Sequence, residues 1–369
     1  MSFDFDVAID RLHTGSNKWS KFPADVLPLW VADMDFAVAP AIVEAITRRL
    51  QHPVFGYGSA SLELRDQIVA DMTAKYGWSI RPDDIVFLPG VEPGFNMAIK
   101  ALLEPGQRLA IQTPIYRPIL NAPAMWSLEP INIRMDLPIV DQRDRMDRAD
   151  AMLLCNPHNP TGKVYGRGEL LALAEATGDR PIIADEIHCE LLYDGLHHLP
   201  MASLHPSIAD RTITLMSAAK TYNIPGLKTA FAIVQNPELR QRFEGSRLGM
   251  VDSVNVLGLE ATLAALREAT DWRDAVVVYL QGNRDFLAGA VAERLPGIAL
   301  RPPHATYLAW LDCSTLGLKD PTQHFLDHAK VALSPGSDFG AAYGQFVRLN
   351  FGCPRSTLTD AINRMVSSL

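Results

Sequence analysis

The chain has 369 residues and a formal net charge of −8, from 34 lysines and arginines against 42 aspartates and glutamates. No basic stripe is present, which speaks against nucleic acid as a partner, and no run reaches the roughly eighteen apolar residues that a membrane span needs. Almost half of the residues are hydrophobic, enough for one large domain or for a large and a small one, each with its own core.

The opening run, MSFDFDVAIDRL, carries acids where a secretory signal needs a basic and then an apolar region; a cytoplasmic location is expected. Residues 1–45, which include VLPLWVADMDF, have no partner strand nearby and are expected to arm across the large domain or to join a small one. Residues 46–275 are expected to form the large domain. Within it DIVFL, RLAIQ, PINIRM, AMLLC, PIIA, TITLM and TAFAIV read as strands. Several are unbroken apolar runs, which suits strands covered on both faces of a mostly parallel sheet. Helical patterns lie between them: Phe95, Ala98, Ile99 and Leu102 recur at helical spacing, with Pro93 in the first turn and Gly106 as terminator. The alternation predicts a doubly wound α/β sheet with helices on both sides.

Residues 276–369 have a different texture. A long helical stretch, RDAVVVYLQGNRDFLAGAVAERL, leads into ATYLAWLD, VALSPG and QFVRLNFG, which read as strands of a smaller α+β unit. The four cysteines, Cys155, Cys189, Cys313 and Cys353, form no C-x-x-C pair and are expected to be reduced and buried.

The polar residues that stand out follow strands, where open α/β sheets bind ligands. Asp185 closes an apolar run and reads either as a helix cap or as the partner of a protonated ring nitrogen. Asn159, in NPHNPTG, sits in a rigid turn and has an N–H to offer a ligand oxygen. GVEPG opens a helix whose free N–H groups suit an anion, to which Ser217 and Lys228 would add a hydroxyl and an ammonium. Lys220, in SAAK, is a long side chain in a tight turn of small residues. Arg348, inside an apolar run, calls for a carboxylate, either the protein's own or a substrate's. Tyr116 reads as a core aromatic or a stacking face.

Other chemistries fit less well. Gly56-x-Gly58 lacks the third glycine of a dinucleotide fingerprint, and GLKT at 226–229 lacks the first glycine of a phosphate loop. His197 and His198 have no second pair at metal spacing, so no metal site is expected, and no G-x-S-x-G elbow occurs. The surviving elements describe one ligand with a phosphate, a ring nitrogen, a ring oxygen, a flat face and an aldehyde. Pyridoxal 5'-phosphate has all five.

The motifs WVADMDF, HPVFGYG, TPIYRP, LLCNPHNPTGKVY, ADEIHCELLYDG, KTYNIPGLK and FVRLNFGCPR, in this order, resemble the fold-type I pyridoxal-phosphate enzymes of the class I/II aminotransferase superfamily, and within them the cystathionine β-lyase or C–S lyase branch. The resemblance implies that Lys220 joins the cofactor aldehyde and acts as the proton-transfer base, with Asp185 on the pyridine nitrogen. Asn159 would contact the ring hydroxyl, Tyr116 would stack on the ring, and His188 would stand near the hydroxyl. The backbone at Gly90 and Val91, with Ser217 and Lys228, would hold the phosphate, and Arg348 the substrate carboxylate. Tyr57 would reach the phosphate of a neighbouring subunit, which implies a homodimer with shared active sites. Glu92 beside the phosphate loop, Ala219 before the lysine and Tyr222 after it depart from the branch pattern. The implied activity is cleavage of β-thio-substituted amino acids to pyruvate, ammonia and a thiol. An aminotransferase using the same residues is the alternative, and a non-catalytic cofactor-binding regulator a third.

Overall fold

The computed structural model describes residues 3–369; Met1 and Ser2, which open the acidic N-terminal run, lie outside the described residues. The seven apolar runs form one sheet: β1 (Ile85–Leu88), β2 (Arg108–Thr113), β3 (Glu129–Arg134), β4 (Ala151–Cys155), β5 (Ile182–Asp185), β6 (Thr212–Met216) and β7 (Ala230–Ile233). Their order across the sheet is β1-β7-β6-β5-β4-β2-β3, with β7 antiparallel to both neighbours and the other pairs parallel.

Both faces are covered, which is why the runs do not alternate with polar residues. On one face Ile111, Leu153, Ile183 and Ile213 pack with Phe95 and Ala98 of α1 (Val91–Leu102). On the other, Ala110, Met152, Leu154 and Ala184 pack with Leu170 and Leu173 of α2 (Arg167–Thr177). Gly94 lets α1 lie close on the sheet: a Cβ there would stand 2.8 Å from Leu88 and 2.9 Å from Leu215.

A second, four-stranded antiparallel sheet comprises β8 (Ala299–Leu300), β9 (Leu308–Asp312), β10 (Ser334–Pro335) and β11 (Phe346–Asn350), in the order β10-β11-β9-β8. The long helical stretch is α3 (Thr270–Arg294). Its Trp272, Val276 and Leu280 share a core with Leu311, Val347 and Leu349 of this sheet and with Leu29, Met34 and Phe36. The N-terminal segment therefore packs with the small sheet, and Leu27–Pro28 pairs in parallel with Val331–Ala332. All four cysteines are free and buried. Among the described residues no helix is long and apolar enough to cross a membrane.

Candidate active site

The parallel strands end at one edge in register: Cys155 pairs with Asp185, and Asp185 with Leu215. The chain thus delivers Asp185, Ser217 and the turn after Cys155 to the same level, where they border a cavity of about 700 Å³. Gly90 and Val91 from the start of α1 border it too, as do Tyr116, Asn159 and His188. Lys220, Lys228 and Arg348 complete the assembly. Tyr57 stands apart, 92% exposed and outside the cavity lining.

Asp185 is buried, and its Oδ1 accepts one bond, from the Ile187 N–H at 3.2 Å. A turn, not a helix, follows it, so the capping alternative falls away. Burial raises its pKa to about 7, opposed by the Ile187 bond and by Lys220, with Glu186 adding to the rise. Lys220 borders the cavity and donates from Nζ to the Ala32 carbonyl at 2.7 Å. Burial, then Arg348, lower its pKa to about 8, while Asp33 and Asp185 oppose the fall. An amine poised near neutrality suits proton transfer.

Arg348 is buried, and among the described residues no carboxylate pairs with it. Its Nη1 donates to Asn159 Oδ1 (2.9 Å), its Nη2 to the Trp30 carbonyl (2.9 Å) and Ser334 Oγ (3.2 Å), and Nε has no partner. Burial lowers its pKa to about 10. All its acceptors are neutral, so the anion expected opposite it is not supplied by the fold. Asn159 belongs to a turn locked by Gly162. There φ is +66°, and a Cβ would stand only 2.2 Å from Pro303, so no other residue fits. His188 is buried with Nδ1 unpartnered, and burial, then Lys220 and Arg348, hold it neutral.

Ser217 spends its hydroxyl hydrogen on the Thr229 carbonyl at 2.7 Å and accepts from the Ala219 N–H at 3.0 Å. Lys228 is exposed, in the left-handed region at φ 49°. Tyr116 donates to Glu92 Oε2 at 3.4 Å, and burial, then Glu92, raise its pKa. Tyr222 stacks on Trp272 in the core, with ring centroids 6.2 Å apart, and does not border the cavity. Sequence reasoning missed Val31 and Ala32 in the cavity wall. It also missed Ser334 and Tyr307, whose hydroxyl donates to the Ala32 carbonyl at 2.9 Å. The two acids inside the apolar WVADMDF were the one available signal.

These residues fit a phosphorylated pyridine aldehyde. Among the described residues buried Asp185 has no hydrogen-bonded cation and Arg348 Nε and His188 Nδ1 have no partners, while the uncapped end of α1 behind Gly90 offers N–H groups to an anion. The profile of the aminotransferase class I and II family matches residues 24–365, and the chain belongs to that family. It is 34% identical to the cystathionine beta-lyase PatB of Bacillus subtilis, over 99% of this chain and 100% of PatB. Among solved structures it is similar to OvoB, with a TM-score of 0.95 and 43% identity over 100% of this chain and 99% of that one. It is also similar to the PLP-bound C-S lyase of Staphylococcus hominis, with a TM-score of 0.93 and 27% identity over 100% and 98% of the two chains.

Proposed function

We propose that the chain is a pyridoxal-phosphate-dependent carbon–sulfur β-lyase that converts β-thio-substituted L-amino acids to pyruvate, ammonia and a thiol, working as a cytoplasmic homodimer. The observation that carries the reading is the convergence of Lys220, Asp185 and Arg348 on one cavity; the names of PatB and of the Staphylococcus hominis enzyme support the choice of bond.

When bound, the cofactor would supply an electron sink for a carbanion at the substrate α-carbon. Asp185 would favour a protonated pyridine nitrogen by opposite charge, and the cation in turn would stabilise the buried carboxylate. Arg348 would clamp the substrate carboxylate bidentately, fixing the α-hydrogen toward Lys220. The Lys220 amine would take that proton, helped by a pKa near neutrality. Asn159 and His188 would orient the ring hydroxyl, and Tyr116 would cover a ring face.

The dimer part of the reading is supported by Tyr57 and by Val54 and Phe55, which are 62% and 52% exposed on the same segment, neither helix nor strand. Aminotransfer needs the same residues. Purified protein given cystathionine without a keto acid should release pyruvate and free thiol. No pyruvate, together with amino transfer to an added keto acid, would establish the aminotransferase instead.

A further inference from the structure

Residues 30–36 form neither helix nor strand, and two of them, Val31 and Ala32, line the cavity. Side chains from distant elements take up their carbonyls. Trp30 receives Arg348, Ala32 receives Lys220 and Tyr307, and Asp33 receives Lys18 Nζ (3.2 Å) and Asn350 Nδ2 (2.7 Å). Two cations of the candidate site, Lys220 and Arg348, thus rest on one short strip.

The strip is fastened from the N-terminal side by a compact ion cluster. Arg11 reaches Asp33 at 2.9 Å and Asp35 at 2.5 Å, and the fully buried Lys18 reaches Asp35 at 2.7 Å. Trp19 Nε1 adds a third donor to Asp35 at 2.9 Å. Asp33 is served less well. Its Oδ1 is buried with no hydrogen bond among the described residues, and the Lys18 ammonium stands 3.6 Å away. A carboxylate oxygen left without a donor keeps part of its field for other neighbours.

We propose that Asp33 is a positioning residue for Lys220: anchored by Arg11 and Lys18, it fixes the peptide whose carbonyl receives the lysine amine and holds an incompletely neutralised negative charge beside it. The groups facing Lys220 come from several elements. Arg348 of β11 and Lys228 beyond β6 disfavour the ammonium, while Asp33 and Asp185 favour it. The neutral His188 and the Tyr307 hydroxyl complete the surroundings. The catalytic meaning of the inference rests on the reading of Lys220 given above, but the amine's own titration does not.

The test uses the full chain without cofactor. Acetylation of Lys220 by acetic anhydride is followed against pH by peptide mass spectrometry, with folding checked by circular dichroism and Tm. The wild-type midpoint is expected near 8. Asp33→Asn should lower it, so that Lys220 reacts about three- to fivefold faster at pH 7, the effect of a half to one unit on the free-amine fraction. Arg11→Gln, at a partly exposed residue, leaves Asp33 less neutralised and should move the midpoint the other way. It decides the matter alone if Asp33→Asn does not fold. Unmoved midpoints in folded variants, or a downward shift in Arg11→Gln, overturn the proposal. A chain without lyase activity that still shows the opposed shifts would sink the functional reading and leave this one standing.

Discussion

Arg348 donates from Nη1 to Oδ1 of Asn159 across 2.9 Å, so a side chain of the small sheet closes on the turn behind β4 of the large one. Since a guanidinium only donates, the contact fixes the Asn159 amide: its oxygen is engaged and its NH₂ is free to donate elsewhere.

The two residues should therefore act as a unit. Asn159→Ala and Arg348→Met are each expected to lower kcat/KM, and the double variant to lose less than the two losses combined. A double-mutant cycle should give a coupling of about 0.5–3 kcal/mol, the range for residues in direct contact.

Lys220→Ala removes the half-buried amine that borders the cavity with Asp185. Pyruvate release should fall by at least about 10²–10⁴-fold, the contribution of a positioned acid–base group alone. An exogenous small amine should restore part of the rate, measured as a concentration-dependent rise in kcat.

Burial of the Asp185 carboxyl costs the cofactor-free fold stability. Its folded pKa of about 7 lies above the ordinary 3.8, so between these values the folded chain holds the proton more tightly than the unfolded one. The carboxyl therefore costs stability progressively as pH rises from 3.8 to about 7, and the full cost is present above that. In the cofactor-free protein, Asp185→Asn should raise stability by an amount on the order of a few kcal/mol at about pH 8. At about pH 4 the gain should be small. Denaturant melts at both pH values check this, and the same variant should lose activity.

Glu92 lies in the first turn of α1, at the cavity and beside the candidate phosphate cradle. Replacing its like charge by Glu92→Gln should tighten pyridoxal phosphate binding about two- to fivefold at low salt, with the difference shrinking as ionic strength rises. Titration of cofactor-free protein, followed by absorbance, checks both parts.

If Tyr57 serves a neighbouring subunit, Tyr57→Ala and Lys220→Ala fail at different places. Mixing the two inactive proteins under exchange conditions should then restore a fraction of the activity, through hybrids that carry one intact site. No recovery in a verified hybrid would remove Tyr57 from the active site.

The large sheet was legible because burial on both faces leaves a plain mark, an apolar run bounded by turn residues. The reversed direction of β7 was not legible, since TAFAIV reads the same either way. Asp185, Lys220 and Asn159 stood out as polar residues directly behind such runs. The strip at residues 30–36 did not, because its meaning lies in contacts 188 residues away for Lys220 and 318 for Arg348. Carbonyl oxygens, moreover, carry no signature in a sequence. The Ser217 hydroxyl illustrates a different limit: its residue type suits an anion, yet the fold already engages its hydrogen with Thr229.

The alignment of Cys155, Asp185 and Leu215 across three neighbouring strands has a consequence for how such an enzyme can change. Depth within the reaction chamber is set by the pleat, a ruler that slips only in whole residues and at ruinous cost. The more exposed part of the lining, its rim, includes Glu92, Met250 and Val251, which lie outside that ruler. Diversification of substrate, in nature or by directed evolution, can proceed along the rim while the machinery beneath keeps its spacing.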